Sequence, residues 1–314
     1  GAGLSGRGVL PAARGALALA AGTWQARRRL RDLDAAAVVG FGGYPSVPPL
    51  IAALTMLGER RPVTVLHEQN AVLGRANRLL ARRADLLALS HQATAAVPGS
   101  ARVAVVGNPV RPALAALVGG GYPGTDGALR LLVLGGSLGA RIFADIVPGA
   151  VAALPDALRQ RLVVAQQCRP EDLARVRAAY DAAGVPAELS AFFPDVAGRL
   201  ATAHLVVARA GAGTVAELAC AGRPGILVPL PQAIDDHQQA NARALAEAGA
   251  AIVMRQATLT SDTLAAQLAA LLGDASGLAR AAASAAKLAQ PDAARRLADL
   301  ILSLVRAKAR QDSP

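Results

Sequence analysis

The sequence predicts an α/β protein of two Rossmann-like domains, each a doubly wound parallel sheet. Short apolar runs alternate with helical patterns along the chain, and this order is typical of parallel strands joined by crossover helices. Hydrophobic residues make up 53% of the sequence and aromatic residues only 3%, which favours helices packed on buried aliphatic strands. A chain of 314 residues is long enough to bury two cores.

The first domain is expected over residues 1–118, and its sheet is expected to be incomplete. It opens on a basic helical stretch instead of a strand. The pattern then predicts two helices, near 47–57 and 75–83, among four strands at residues 38–41, 64–66, 86–89 and 103–106. Without the first βα units of such a domain, the strand at 38–41 or a neighbour is expected to be an uncovered sheet edge.

Residues 119–124, with the sequence Gly-Gly-Gly-Tyr-Pro-Gly, are the expected linker, because glycine and proline interrupt regular structure there. The second domain is expected over 125–290, with strands at residues 130–134, 162–165, 205–208, 225–228 and 251–254. The C-terminal segment 291–314 contains an amphipathic helix, which is expected to fold back onto the first domain.

The net charge of +11 lies mostly in the first 112 residues, which hold 14 arginines and five acidic residues. This excess predicts an anionic partner for the first domain. Nucleic acid is disfavoured, because the chain has few aromatic side chains for stacking on bases and no nucleic-acid-binding motif. An anionic membrane surface is the favoured partner.

Two glycine-rich turns each follow a predicted strand and open a predicted helix. The first is 135–139, Gly-Gly-Ser-Leu-Gly, and the second is 210–214, Ala-Gly-Ala-Gly-Thr. Glycine lets the backbone approach a ligand, and the free N–H groups of a helix start favour an anion. Ser137 could donate to a phosphate or only cap its helix, and Glu217 could bind two ribose hydroxyls or be a solvated helix carboxylate. Together these features are typical of a nucleotide diphosphate site.

A third polar segment follows the predicted strand at 225–228. Its amide side chains can donate and accept hydrogen bonds, as sugar hydroxyls require: Gln238, Gln239 and Asn241. No metal site or cofactor is predicted. Asp235, Asp236 and His237 are adjacent in sequence and adjacent residues rarely converge on one ion, while Cys168 and Cys220 lack zinc-ligand spacing.

The basic stretch at residues 7–31 has helical periodicity. Leu10, Leu17 and Trp24 recur every seven residues, and a neighbouring strip carries basic side chains, among them Arg7, Arg14 and Arg28. An apolar stripe with a basic rim is typical of a helix that lies on anionic lipid. The alternative is a helix that packs this stripe on its own domain and leaves the basic face in water.

Six segments in order resemble the MurG family of peptidoglycan glycosyltransferases, and the resemblance covers nearly the whole chain. They are residues 40–44 (GFGGY), 66–70 (LHEQN), 107–111 (GNPVR), 135–139, 209–217 and 236–241. The resemblance implies a GT-B fold with the acceptor on the first domain and the donor on the second. It also implies inverting transfer of N-acetylglucosamine from UDP-N-acetylglucosamine to the muramoyl 4-hydroxyl of lipid I, which gives lipid II, at the cytoplasmic face of the bacterial inner membrane.

Carried over by position, the resemblance gives donor contacts at Asn70, Arg111, Ser137, Ala212, Gly213, Thr214, Glu217, Gln238 and Gln239. Phe193 matches the position that packs beside the uracil. His67 and Glu68 are the candidates for a general base, although each could instead hold the end of a strand. The usual base candidate of the family is the histidine of a G-G-T-G-G-H loop, which is expected to precede residue 1. Leu138 stands where many members have glutamine.

Two rival functions stay open: another GT-B transferase with a different nucleotide sugar, and a truncated sugar-nucleotide binder without activity. A dinucleotide-dependent dehydrogenase is disfavoured, because no clear acidic ribose partner follows the first glycine turn by about 20 residues. In the transferase, the helix N-termini would stabilise the leaving diphosphate, so that this task needs no divalent metal.

Overall fold

The computed structural model describes residues 9–58, 61–136, 139–231 and 236–311, with side chains from residue 14 onward. The chain forms two compact units, Gly1–Asn108 with Asp292–Pro314, and Pro109–Pro291. Each unit contains one sheet in which every described strand pair is parallel. The predicted fold class, two parallel α/β sheets in one chain, is confirmed.

The first unit has a four-stranded sheet in the order β1-β2-β3-β4. Its strands are β1 (Ala37–Gly40), β2 (Val63–Glu68), β3 (Leu86–Leu89) and β4 (Val103–Val105). Its helices are α1 (Val9–Asp32), α2 (Val47–Leu54), α3 (Arg75–Leu80) and α13 (Ala293–Gln311). In the sheet as described, β1 and β4 are the edge strands.

The side chains of β2 alternate between two cores on opposite faces of this sheet. Leu66 packs in the core that contains Leu50 of α2 and Leu80 of α3. Val65 packs in the other core, where α13 contributes Leu297. The C-terminal helix therefore covers one face of the first sheet, and an amphipathic sequence is what such a half-buried helix requires.

The second unit has a six-stranded sheet in the order β10-β9-β8-β5-β6-β7. Its strands are β5 (Leu129–Leu134), β6 (Leu162–Gln167), β7 (Ala187–Ser190), β8 (Leu205–Ala208), β9 (Gly225–Leu227) and β10 (Ala251–Val253). Its helices are α4 (Pro112–Ala115), α5 (Arg141–Ala152), α6 (Asp156–Arg159), α7 (Leu173–Ala182), α8 (Val196–Thr202), α9 (Ala212–Ala221), α10 (His237–Glu247), α11 (Ser261–Leu272) and α12 (Ala275–Ala286). The edge strand β7 was not predicted from the sequence.

The structure divides the chain after Asn108 and not at the glycine-rich segment 119–124. That segment belongs to the second unit, because side chains of the unit hold it. Arg223 Nη1 donates to Gly121 O at 2.9 Å. Tyr122 donates its hydroxyl to His204 O at 2.9 Å, and His204 Nε2 donates to Gly124 O at 3.0 Å. Local sequence indicated an interruption of regular structure but could not show these distant partners.

Candidate functional site

The candidate site lies at the carboxyl ends of β5 and β8, which are neighbours inside the second sheet. These strands pair in parallel from Leu131 opposite Leu205 to Leu134 opposite Ala208. The chain runs outward from β5 through β6 to β7, and then returns to β8 on the other side of β5. The strand order therefore reverses here, and this is where open α/β sheets bind their ligands.

The turn after β5 presents backbone groups at this edge of the sheet. Gly136 and Gly139 have φ angles of 78° and 66°, in the left-handed region that favours glycine. A Cβ on Gly135 would overlap the backbone nitrogen of Ala140 and lie 3.0 Å from the Gly139 Cα. Ala140 is the N-cap of α5 and has no side chain that could accept from the first N–H groups. These donors suit an anionic ligand.

The turn after β8 ends in a second helix start of the same kind. Gly211 is the N-cap of α9 and has no capping side chain. Ala212, Gly213 and Thr214 form the first turn, and no atom lies within 4 Å of a Cβ placed on Gly213. Because β5 and β8 are adjacent, both uncapped helix starts lie at the same edge of the sheet, α5 on one face and α9 on the other.

Glu217, one turn further into α9, forms an ion pair with Arg111. Arg111 Nη2 lies 3.4 Å from Glu217 Oε1, across 106 residues of sequence. Arg111 is the N-cap of α4, and the buried Leu114 of α4 packs in the same core as α9. Burial raises the pKa of Glu217, although the Arg111 charge opposes this shift. Two of the predicted donor residues are therefore brought together.

The start of α10 contains the predicted sugar-binding amides. Gln238 Oε1 accepts from Leu230 N at 2.9 Å, so the amide nitrogen is the group it can offer a ligand. Gln239 is half-buried beside it. Asn241, in contrast, is fully buried and donates from Nδ2 to Ala210 O at 3.2 Å. Asn241 was expected to face sugar hydroxyls, but it instead fastens α10 to the turn after β8.

Two arginines hold the loops of the site, and their roles were not predicted. Arg209 Nη1 donates to Val228 O and Pro229 O at 3.1 and 3.3 Å, which ties the turn after β8 to the loop after β9. Arg169 Nε donates to Gly139 O at 3.1 Å and braces the first glycine turn. The only sequence signal for either is an arginine that closely follows a buried strand.

The structure does not support the predicted ring contact of Phe193. Its side chain is only 3% exposed and packs in the core with Leu200 and Val206. The Arg199 guanidinium lies 4.0 Å from its ring centroid. Phe192, its neighbour, is 68% exposed. Which of two adjacent phenylalanines turns inward depends on the tertiary core, and the sequence does not specify it.

His67, a candidate general base in the first unit, is fully buried at the end of β2. Its Nε2 donates to Gly107 O at 2.9 Å, and Gln69 Nε2 donates to its Nδ1 at 3.2 Å. Both ring nitrogens are thus engaged. Burial lowers the pKa of His67 below its ordinary value, against the opposing effects of the Gly107 carbonyl and Glu68. These contacts favour the structural alternative.

The side chain of Glu68 is almost completely buried, and its carboxylate accepts four hydrogen bonds from described residues. Asn70 donates to Oε1 from N and Nδ2 at 3.1 and 2.9 Å. Gly74 N and Asn77 Nδ2 donate to Oε2 at 2.8 and 2.9 Å. A carboxylate with this many donors stabilises the loop after β2, and a substrate proton would have to displace one of them. Asn70 therefore lies at the carboxyl end of β2, oriented by Glu68.

The neutral state of His67 predicts a pH dependence of stability. Because its pKa in the fold lies below the ordinary 6.5, the unfolded chain binds the proton first. The free energy of unfolding of the first unit is then expected to fall as pH decreases below about 6.5. Urea unfolding at pH 7.5 and pH 5 measures this, and His67→Gln should reduce the slope to the part contributed by His91, whose pKa burial also lowers. A slope unchanged in His67→Gln would show that the buried imidazole is not the cause.

Some predicted positions lie outside the described residues, namely Ser137, Leu138 and Asp235. Across the ranges that the structure does describe, no group of three or more His, Cys, Asp or Glu side chains could hold a metal ion.

The fold and the site together define a two-domain α/β protein with a candidate anion-binding site at the carboxyl edge of the second sheet. Residues 1–88 match the glycosyltransferase family 28 N-terminal domain, and residues 130–297 match the glycosyltransferase family 28 C-terminal domain. The solved structure of MurG from Acinetobacter baumannii has a TM-score of 0.76 and 32% sequence identity, over 91% of this chain and 80% of that one.

Two sequence relatives bear the name UDP-N-acetylglucosamine–N-acetylmuramyl-(pentapeptide) pyrophosphoryl-undecaprenol N-acetylglucosamine transferase. The protein from Granulibacter bethesdensis is 57% identical over 303 residues, which are 96% of this chain and 78% of the relative. The protein from Acidiphilium cryptum is 54% identical over 310 residues, 99% of this chain and 83% of the relative. The chain belongs to the MurG family, within glycosyltransferase family 28.

Proposed function

We propose that this chain transfers N-acetylglucosamine from UDP-N-acetylglucosamine to the muramoyl 4-hydroxyl of undecaprenyl-diphospho-muramoylpentapeptide, or lipid I, and so makes lipid II. The names of the relatives support the donor and the acceptor. The structural observation that carries the proposal is the pair of uncapped helix starts at the ends of β5 and β8. Two such starts at one edge of the sheet, after adjacent strands, suit the two phosphates of a nucleotide diphosphate.

In this proposal the donor lies along the carboxyl edge of the second sheet. The first turns of α5 and α9 bind the diphosphate through backbone N–H groups, with Ala212, Gly213 and Thr214 around it. Glu217 accepts from the ribose hydroxyls, and Arg111 moves from the ion pair toward phosphate. Gln238 and Gln239 bind the sugar. The exposed ring of Phe192, and not that of Phe193, is the aromatic group available to the uracil.

The proposed reaction inverts the anomeric carbon. The acceptor oxygen forms a bond to that carbon as the bond to UDP breaks, and the hydroxyl proton passes to a base, for which the family resemblance gives the histidine of the G-G-T-G-G-H loop. Negative charge develops on the leaving diphosphate, where the helix N-termini and Arg111 are placed to stabilise it. His67 and Glu68 are assigned positioning roles in the loop after β2, since their proton-accepting atoms already have hydrogen-bond donors. Asn70, at the carboxyl end of β2, is the side chain that Glu68 orients.

Calorimetry and a transfer assay test the proposal together. The full chain is expected to bind UDP-N-acetylglucosamine saturably, in preference to ADP-glucose, and to transfer N-acetylglucosamine to a lipid I analogue. Binding without transfer would favour a sugar-nucleotide binder. Preference for another nucleotide sugar would favour a different transferase, and no binding at all would overturn the donor site.

Glu217→Gln is expected to weaken UDP binding by about tenfold, because hydrogen bonds to a charged acceptor are worth about 1.5–3 kcal/mol and only part of this is kept by the amide. Calorimetry with UDP measures the loss. Glu247→Gln is the matched control, since Glu247 is an exposed carboxylate on α10 that pairs with Arg243. Equal affinities in the two variants would contradict the ribose contact.

We also propose that α1 lies on an anionic membrane surface. Leu17 and Trp24 are 71% and 65% exposed, and Arg14 and Arg28 are exposed as well. The helix packs on α2 through other residues, among them Gly22 against Pro48 and Leu30 in the core. The alternative, in which Leu17 and Trp24 pack on their own domain, therefore lacks support. The side chain of Leu10 is outside the described residues.

Trp24→Ala is expected to reduce co-sedimentation with phosphatidylglycerol vesicles several-fold, because the indole is a large apolar group at a membrane interface. Added salt should reduce it further by screening the arginines. Among the described helices none is long and apolar enough to cross a bilayer. Vesicle binding that is unchanged by both Trp24→Ala and added salt would refute this role for α1.

A further inference from the structure

A charged cleft lies in the first unit, at the edge of the sheet where its strands begin. Its volume is about 240 Å³. The described residues that line it come from the segments just before β2, β3 and β4, and from the last turns of α13. The cleft therefore lies at the amino ends of three parallel strands, and it is separate from the nucleotide site in the second unit.

Among the described residues, three basic side chains and one acidic side chain line this cleft: Arg61, Arg102, Lys308 and Asp85. Arg102 is exposed immediately before β4, whereas Lys308 enters from α13. The remaining wall includes apolar side chains, Val63 and Leu304. Cations from three separate segments thus converge on one concave space with an excess of positive charge.

The carboxylate of Asp85, the acidic group among the described lining residues, is already used by the fold. Asp85 Oδ2 accepts from Thr64 N at 2.7 Å and from Thr64 Oγ1 at 2.8 Å. Asp85 Oδ1 accepts from Arg61 Nη2 at 3.0 Å. This network fixes the Arg61 guanidinium at the cleft wall while only one of its nitrogens is used by the carboxylate. A preorganised arginine of this kind recognises phosphate well, because its planar fork matches two phosphate oxygens.

We propose that this cleft binds a small phosphate-bearing ligand, held by Arg61, Arg102 and Lys308. The volume is below the 300–1,000 Å³ or so of a typical pocket for a drug-sized ligand, so it suits a phosphate group and not a whole nucleotide. The ligand is either a soluble phosphate compound or the headgroup of an anionic lipid, which present the same chemistry. The proposal is independent of the function of the second unit.

Titration of inorganic pyrophosphate into the full chain tests this, after UDP has been titrated to saturation so that the nucleotide site is filled. Saturable binding with a Kd of about 1 mM or tighter at low salt is expected. Arg102→Gln should weaken it about tenfold and Arg102→Glu should abolish it, because a charged donor is lost or reversed. Arg306→Gln, an exposed arginine of α13 outside the cleft, should change nothing.

The outcomes separate the proposal from its alternatives. Absence of saturable pyrophosphate binding, or equal pyrophosphate affinity in Arg102→Glu and Arg306→Gln, would refute the proposed site. This holds whatever the UDP titration shows. Vesicles of phosphatidylglycerol then identify the source of the phosphate. If Arg102→Glu also lowers vesicle binding, the ligand is a lipid headgroup. If it lowers pyrophosphate binding alone, the ligand is a soluble phosphate compound.

Discussion

Gly135→Ala is expected to weaken UDP binding by about 10- to 100-fold, since forcing a methyl group into a packed site costs about 1–3 kcal/mol. The added Cβ would overlap the Ala140 nitrogen, and its other close neighbours are backbone atoms of Gly139. Backbone atoms cannot move away by changing rotamer as a flexible side chain can, so the loop after β5 must open. Opening it moves the N–H groups of α5 away from the phosphates. Calorimetry with UDP measures the change.

Gly127→Ala is the matched control, because it makes the same substitution just before β5. No atom lies within 4 Å of a Cβ placed on Gly127. We expect its UDP affinity to equal that of the parent chain. Thermal unfolding of both variants shows whether the second unit remains folded. A folded Gly135→Ala chain with unchanged affinity would mean that this turn does not bind the diphosphate.

Arg223→Met is expected to lower the free energy of unfolding of the second unit by about 3 kcal/mol or more, because several buried carbonyls lose their donor. Arg223 is 3% exposed. Its guanidinium donates to Leu200 O at 2.7 Å, to Ala201 O at 2.7 Å and to Gly121 O at 2.9 Å. Ala221 O accepts from it as well, at 2.8 Å. One side chain therefore joins α8, the end of α9 and the segment before β5.

Chemical denaturation followed by circular dichroism measures this loss of stability. Arg280→Met is the control, because Arg280 is an exposed arginine whose partners, Asp274 and Ser276, are also at the surface. Its effect should stay within about 0.5 kcal/mol. An equally small loss of stability in Arg223→Met would mean that water replaces the guanidinium at those carbonyls. It would contradict the proposed stabilising role of Arg223.

The sequence predicted those parts of the fold that depend on local pattern. Buried strands such as Leu129–Leu134 are mostly apolar, and the glycines that follow permit the positive φ angles of the turn. The edge strand Ala187–Ser190 was missed because it is short and only half-buried, so its residues show neither a buried run nor a clear alternation. The two glycine-rich turns of the candidate site could be predicted because each is a short continuous segment that follows a buried strand.

Residues whose roles depend on distant partners could not be predicted. His67 depends on Gly107, 40 residues away, and Arg111 on Glu217, 106 residues away. Phe192 and Phe193 are identical side chains with opposite burial, which only the packing around Leu200 determines. The sequence could identify the types of residue that bind a sugar nucleotide. It could not show which of these side chains are buried or engaged in structural hydrogen bonds.

Hydrogen exchange with and without UDP tests the central claim most directly, because it reports where on the full chain the nucleotide binds. We expect slower exchange in two separate peptides, one covering the turn after β5 and the start of α5, the other covering the turn after β8 and the start of α9. These are the amides that would donate to the diphosphate. Saturating UDP that protects neither peptide, or protects only residues outside the second unit, would contradict the account.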